Sequence, residues 1–128
     1  MTKQEKLCAL RNDPDVHYNC AQSMLIPFAG ETGIPAERAN AIALNFGGGM
    51  GCSSVCGAFT GTLMAMGALG LPQERREDFA AWFRARQGSL DCDDILKGVP
   101  RHTPEQKAIC DELLEACMNW LCREAGLE

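Results

Sequence analysis

Eight cysteines in 128 residues are the chemically reactive stock of this chain. Helical periodicity turns four of them inward or sets them at a helix start: Cys20, Cys56, Cys92 and Cys110. They stand 36, 36 and 18 residues apart, so only the fold can bring them together. No CxxC pair occurs, which separates the chain from zinc fingers, thioredoxin-type dithiols and haem-attachment sites. Clustered thiols of this kind suit three chemistries. They can hold an iron–sulfur cluster, exchange a disulfide between two of their number, or bind a structural zinc ion.

The elements that must position these thiols read as helices throughout, with no alternating strand-like run and no internal repeat. Residues 3–10 suit a short leading helix. A second is expected to start at Asp13 or Asp15, with Val16, Cys20, Met24 and Phe28 on one inward face and a kink or stop at Pro27. Pro35 opens a third that runs to about Phe46, with Ala39, Ile42 and Phe46 on its apolar side. After the glycine-rich FGGGMG stretch at 46–51, a long apolar helix is expected from Ser53 to Leu69. Gly57, Gly61 and Ala65 repeat on it at four-residue spacing, which lets a neighbouring backbone approach closely.

Pro72 opens the next helix, anchored by Phe79, Trp82 and Phe83 and stopped by Gly88. Ser89 can cap a short helix that holds Cys92, Ile95 and Leu96 and ends at Gly98. Thr103, Pro104 and Gln106 form a capping-box start for the last helix, whose inner stripe is Cys110, Leu113, Cys117 and Leu121. The expected architecture is all-α: residues 1–128 as a single compact bundle of about six or seven helices.

Composition narrows the function. A net charge of -5 excludes the basic footprint of a nucleic-acid binder. The apolar stretch from Met50 to Leu71 is broken by glycines and by Ser53, Ser54, Thr60 and Thr62. It reads as a buried central helix rather than a membrane span. The opening MTKQEKLCALRND lacks the apolar core of a secretory signal, so a cytoplasmic location is expected. In that reducing compartment many cysteines point to metal or redox chemistry rather than to staples. The glycine run follows a helix and has no Lys-Ser/Thr partner, so it is no P-loop.

Five segments then carry a resemblance: NCAQSML at 19–25, FGGGMG at 46–51, CGAFTG at 56–61, LDCDDIL at 90–96 and CDELLEAC at 110–117. In this order they resemble the redox-active proteins named for the pattern C-GCAxxG-C-C. The resemblance spans roughly residues 16–117 and extends to a domain of split-Soret cytochromes, where an iron–sulfur cluster is associated with it. It implies an all-helical fold and a redox role for four recurring cysteines, which match Cys20, Cys56, Cys92 and Cys110. This chain departs from the pattern where Val55 precedes Cys56, and it adds Cys52. It has no haem motif, so no haem is carried over.

The leading expectation is a [2Fe–2S] cluster on Cys20, Cys56, Cys92 and Cys110 that passes electrons to a redox partner protein. Gly48, Gly49 and Gly51 would supply backbone N–H groups toward it. Disulfide chemistry is the alternative, with Cys56 or Cys92 as nucleophile. A helix start lowers the Cys92 pKa and Asp91, Asp93 and Asp94 raise it, while no activating cation or histidine is adjacent in sequence. Zinc is the third alternative, and whether the chain turns over a substrate as an enzyme is left open. Cys52 is a candidate extra thiol, sharing a face with Cys56 if both are helical. Cys8, Cys117 and Cys122 read as small buried hydrophobes. His17 is either a surface residue or a neighbour of Cys20, His102 is solvated, and Trp120 serves packing or a homodimer contact.

Overall fold

The computed structural model describes residues 1–127. Helix α1 spans Lys3–Arg11, capped by Thr2, whose hydroxyl accepts from the Glu5 amide at 3.1 Å while Glu5 accepts from the Thr2 amide at 2.8 Å. The chain then stays out of helix to Asn19. Asp13 is the reason: its carboxylate accepts the amides of Asp15 and Val16, which spends on a local turn the donors a helix would need. Helix α2 therefore begins at Cys20 rather than at Asp13 or Asp15, and Val16 lies outside it, 46% exposed. Its start is a reciprocal cap, with Asn19 accepting from the Gln22 amide and Gln22 from the Asn19 amide, at 2.8 and 2.9 Å.

Helix α2 (Cys20–Leu25) passes through one 3-10 turn at Ile26–Phe28, where Pro27 removes a donor, into α3 (Ala29–Thr32). This continuous run is followed by α4 (Ala36–Ala43), α5 (Gly57–Ala68), α6 (Arg75–Gln87), α7 (Cys92–Ile95) and α8 (Pro104–Ala125). With the α2–α3 run taken as one, the described residues form seven helices and no strand, as the periodicity implies. None of these helices is long and apolar enough to cross a membrane.

Several boundaries differ from the expectations, each for a local reason. On α4 the inward residues are Ala39 and Ala43, while Ile42 is 45% exposed. Helix α5 starts at Gly57 rather than Ser53, because residues 48–51 wind left-handed: Gly48, Gly49, Met50 and Gly51 have φ of 61, 65, 62 and 72°. This turn closes with the Ser54 amide on the Gly49 carbonyl at 2.9 Å. A left-handed turn costs a non-glycine residue about 1–2 kcal/mol, and Met50 and Ser53 (φ 57°) both bear it. At α8, Thr103 accepts from the Gln106 amide as expected, but Gln106 reaches back to the His102 amide instead of that of Thr103.

Two contacts set the architecture around the cysteines. Helices α2 and α5 touch backbone to backbone: a Cβ on Gly61 would lie 2.7 Å from the Ala21 Cα and 2.8 Å from its carbonyl oxygen. The Gly57, Gly61, Ala65 stripe thus acts as the spacing suggests, and Ala21 and Ala65 are fully buried. Away from the cysteines, α5, α6 and α8 close around aromatic rings. Phe59 stacks on Phe79 at 5.2 Å and Phe79 meets Trp120 at 4.8 Å. Trp120 is 6% exposed and serves this packing.

Candidate functional site

Cys56 and Cys92 are brought side by side by an isolated antiparallel bridge between Val55 and Asp91, the residues just before them. The Cys56 amide donates to the Leu90 carbonyl at 2.8 Å and the Cys92 amide to the Ser54 carbonyl at 2.7 Å. Both cysteines then open helices, Cys56 as the N-cap residue of α5 and Cys92 as the first residue of α7. Cys20 opens α2 and reaches the same place because Gly57 has no side chain; a Cβ there would meet the Cys20 Cβ at 3.1 Å. Cys110 arrives last, from the inner face of α8.

Cys20, Cys56, Cys92 and Cys110 line one small cavity of about 40 Å³. Ile95, Leu96, Ile109 and Leu113 wall it with hydrocarbon, and Gly48 and Gly49 bring bare backbone to its edge. Gly49 has to be glycine. Its φ is 65°, and a Cβ would meet the Ser54 nitrogen at 2.5 Å and the Cys92 Cβ at 3.0 Å. Gly51 does not line this cavity, and neither does Cys52, which is exposed with its Sγ against the Gly49 carbonyl at 3.5 Å. Because Cys52 lies in the left-handed turn rather than in α5, it shares no helix face with Cys56.

All eight cysteines are free thiols, and their surroundings differ. Cys20 and Cys110 are neighbours in the cavity wall. The Cys20 thiol donates to Cys110, and with the Arg11 and Arg101 guanidiniums this holds Cys110 down to about 7 against the cost of burial. Cys20 is pushed well up by that same hydrogen bond, by burial, and by the negative charge of Cys110 and Cys56 when ionised. Burial raises Cys56 to about 11, although the amides of Ala58 and Phe59 at the start of α5 pull the other way. The Arg101 Nη1 donates to the Cys92 Sγ at 3.3 Å, while its Nη2 pairs with Asp93 at 3.3 Å. Cys117 and Cys122 are core residues raised by burial, and Cys8 lies exposed beside Asn12.

The cations are what sequence reasoning missed. None is adjacent in the chain to any of the four cavity cysteines, yet the fold sets Arg11 by Cys110 and Arg101 on Cys92. Arg11 is held by Asp111 at 2.7 Å and by the Tyr18 carbonyl at 2.8 Å, and no local pattern announces a contact that spans a hundred residues. Neither histidine lies in a helix. Both stand at the rim of a groove beside Cys20 and Cys110.

All four thiols line the one cavity, and Cys56 feels the charge of both Cys92 and Cys110. Among the described residues no three Cys, His, Asp or Glu side chains converge to hold a single metal ion. A family model described as "Putative redox-active protein (C_GCAxxG_C_C)" matches residues 18–123. No curated protein and no solved structure matches the chain.

Proposed function

The chain belongs to this C_GCAxxG_C_C family of redox-active proteins, and from that premise we propose that Cys20, Cys56, Cys92 and Cys110 hold an iron–sulfur cluster, most simply [2Fe–2S], that serves one-electron transfer to a partner protein. The observation that carries this reading is the single cavity lined by all four thiols. Four thiolates suit a binuclear centre that takes two at each iron. The cradle also fits: any side chain at Gly49 or Gly57 would press on Cys92 or Cys20.

A bound cluster would supply a one-electron couple. The chain's own groups do the rest. Arg101 donates to the Cys92 sulfur, and the Ala58 and Phe59 amides point at that of Cys56, so each of these sulfurs already has a hydrogen-bond donor. The hydrocarbon wall of Ile95, Leu96, Ile109 and Leu113 shields the cavity, with Cys56 and Cys92 buried and Cys20 and Cys110 half-buried. Anaerobic purification, with iron, acid-labile sulfide and visible absorption measured, tests the proposal. Equal iron and sulfide with charge-transfer bands is the expected result. Colourless, iron-free protein after reconstitution, or stoichiometric zinc, overturns it.

One observation favours a second reading, disulfide exchange at the outer pair. Cys110 is held down to about 7 beside a Cys20 thiol that is pushed up, which is the division between an attacking thiolate and a resolving thiol. The Cys110 thiolate would attack a substrate disulfide and release one thiolate. Cys20 would then close the Cys20–Cys110 disulfide, give up its proton and release the second thiol, so that two electrons pass to the substrate. Metal-free protein whose thiol count falls by two on oxidation, at these two positions, would support this reading over the cluster.

A further inference from the structure

The Cys20–Cys110 edge of the cavity is also the floor of a surface groove of about 480 Å³. That volume lies in the range of small-molecule sites, about 300–1,000 Å³. Its charge sets it apart from the rest of the molecule. The chain carries 17 acidic residues against 12 basic ones, yet no Asp or Glu lines the groove. Arg11 and Lys107 do, together with His17 and His102, the only two histidines of the chain. Asp13 and Asp15 stand in an adjoining depression that shares Arg11, His17 and Lys107 with the groove, and the carboxylate paired with its cations is that of Asp111. It lies outside the lining and pairs with Arg11 at 2.7 Å and with Lys107 at 2.5 Å, so it neutralises one of the two cations and fixes both in place.

Two further features point the same way. Thr103 and Pro104 put the amino end of the 22-residue α8 at the groove, and that end carries the positive pole of the helix. His102 stands at the rim with φ of 59°, a backbone cost of the kind that concentrates at working sites.

We infer that this groove binds a small organic anion, one bearing two or more carboxylate or phosphate groups, and holds it against the Cys20–Cys110 edge of the site proposed above. The inference stands on groove volume and charge.

The test is titration with citrate, inorganic phosphate and oxidised glutathione, the last a carboxylated disulfide. It is followed by NMR and by the rate at which iodoacetamide labels Cys110, in iron-loaded and in iron-free protein. Saturable one-site binding is expected for citrate or oxidised glutathione, tighter than that of inorganic phosphate, with shifts at His17, His102 and Lys107. Labelling of Cys110 should slow at least fivefold at saturation. Lys107→Gln and the double variant His17→Gln/His102→Gln should each weaken binding about tenfold, while Lys97→Gln, an exposed cation outside the groove, should leave it unchanged. All of these positions are solvent-exposed, and circular dichroism verifies that the variants fold.

No saturable binding, or equal weakening by Lys97→Gln, overturns the inference. Binding that leaves Cys110 labelling untouched overturns its placement against the thiols. A groove that answers only to an acidic peptide would instead make it a protein-docking site. Iron and sulfide content, measured on the same samples, reports separately on the cluster.

Discussion

The two ends of α8 put the same residue type to opposite uses. Cys110, in its first half, faces the cavity, where a neighbouring thiol and two guanidiniums favour its charge. Cys117, two turns on, lies fully buried in the core beside Thr62, where burial suppresses that charge. One stripe of one helix thus runs from a reactive site into a hydrophobic core. What differs is the partner set at each end. Around Cys110 the fold spends strain and glycine; around Cys117 it spends hydrocarbon and rings. Cysteine chemistry follows from the neighbours, not from the spacing that placed it.

The comparison can be broken from either end. The largest effect is expected at the aromatic end, where Phe79 is fully buried and touches Phe59, Trp82, Phe83 and Trp120. Phe79→Ala should cost about 4 kcal/mol in denaturant unfolding, and a loss under 1 kcal/mol would mean that this core is not what holds the fold.

Next comes the pH profile of alkylation in reduced, iron-free protein. A thiolate is the reacting form, and Cys110 holds its thiolate down to about 7. Its labelling should therefore stay high above that pH and fall as pH drops through it. At pH 7 it should exceed that of an ordinary thiol by roughly tenfold or more. Cys117 should label only on unfolding, and mass spectrometry of the labelled peptides separates the two.

A smaller effect sharpens the same contrast. Cys117→Ser buries a hydroxyl in the core and should cost about 2 kcal/mol while leaving bound iron intact. Cys110→Ser should do the reverse and lose the iron with little change in stability. Equal iron loss in both variants would erase the distinction. The smallest expected change is Met50→Gly, which relieves a left-handed side chain at the cavity end and should stabilise the protein by about 1 kcal/mol.

Much of this was legible in the sequence, and the failures have a pattern. The helical fold, the Gly57–Gly61 contact, the Gly88 stop and the inward stripe of α8 all follow from periodicity and glycine placement, which are local signals. The late start of α2 was local too: Asn19 and Gln22 spell the cap that forms, but Asp13 and Asp15 stand earlier and Val16 falls in register with Cys20. The Val55–Asp91 bridge was not legible, because a single bridge needs no alternating pattern. Nor were Arg11 and Arg101, whose partners are set by tertiary geometry. Met50 in a left-handed turn defied its residue type, since that conformation is imposed by the glycines around it and by the bridge beyond.

That bridge also bears on how the protein is made. Cys20 and Cys56 leave the ribosome early, but the partner strand for Val55 comes 36 residues later and Cys110 later still. Pairings this distant form late in folding, since each closes a long loop. The four-thiol cavity therefore cannot exist on a nascent or half-folded chain. Whatever it takes up, it takes up only when α8 has docked, so occupancy of the cavity certifies a finished molecule.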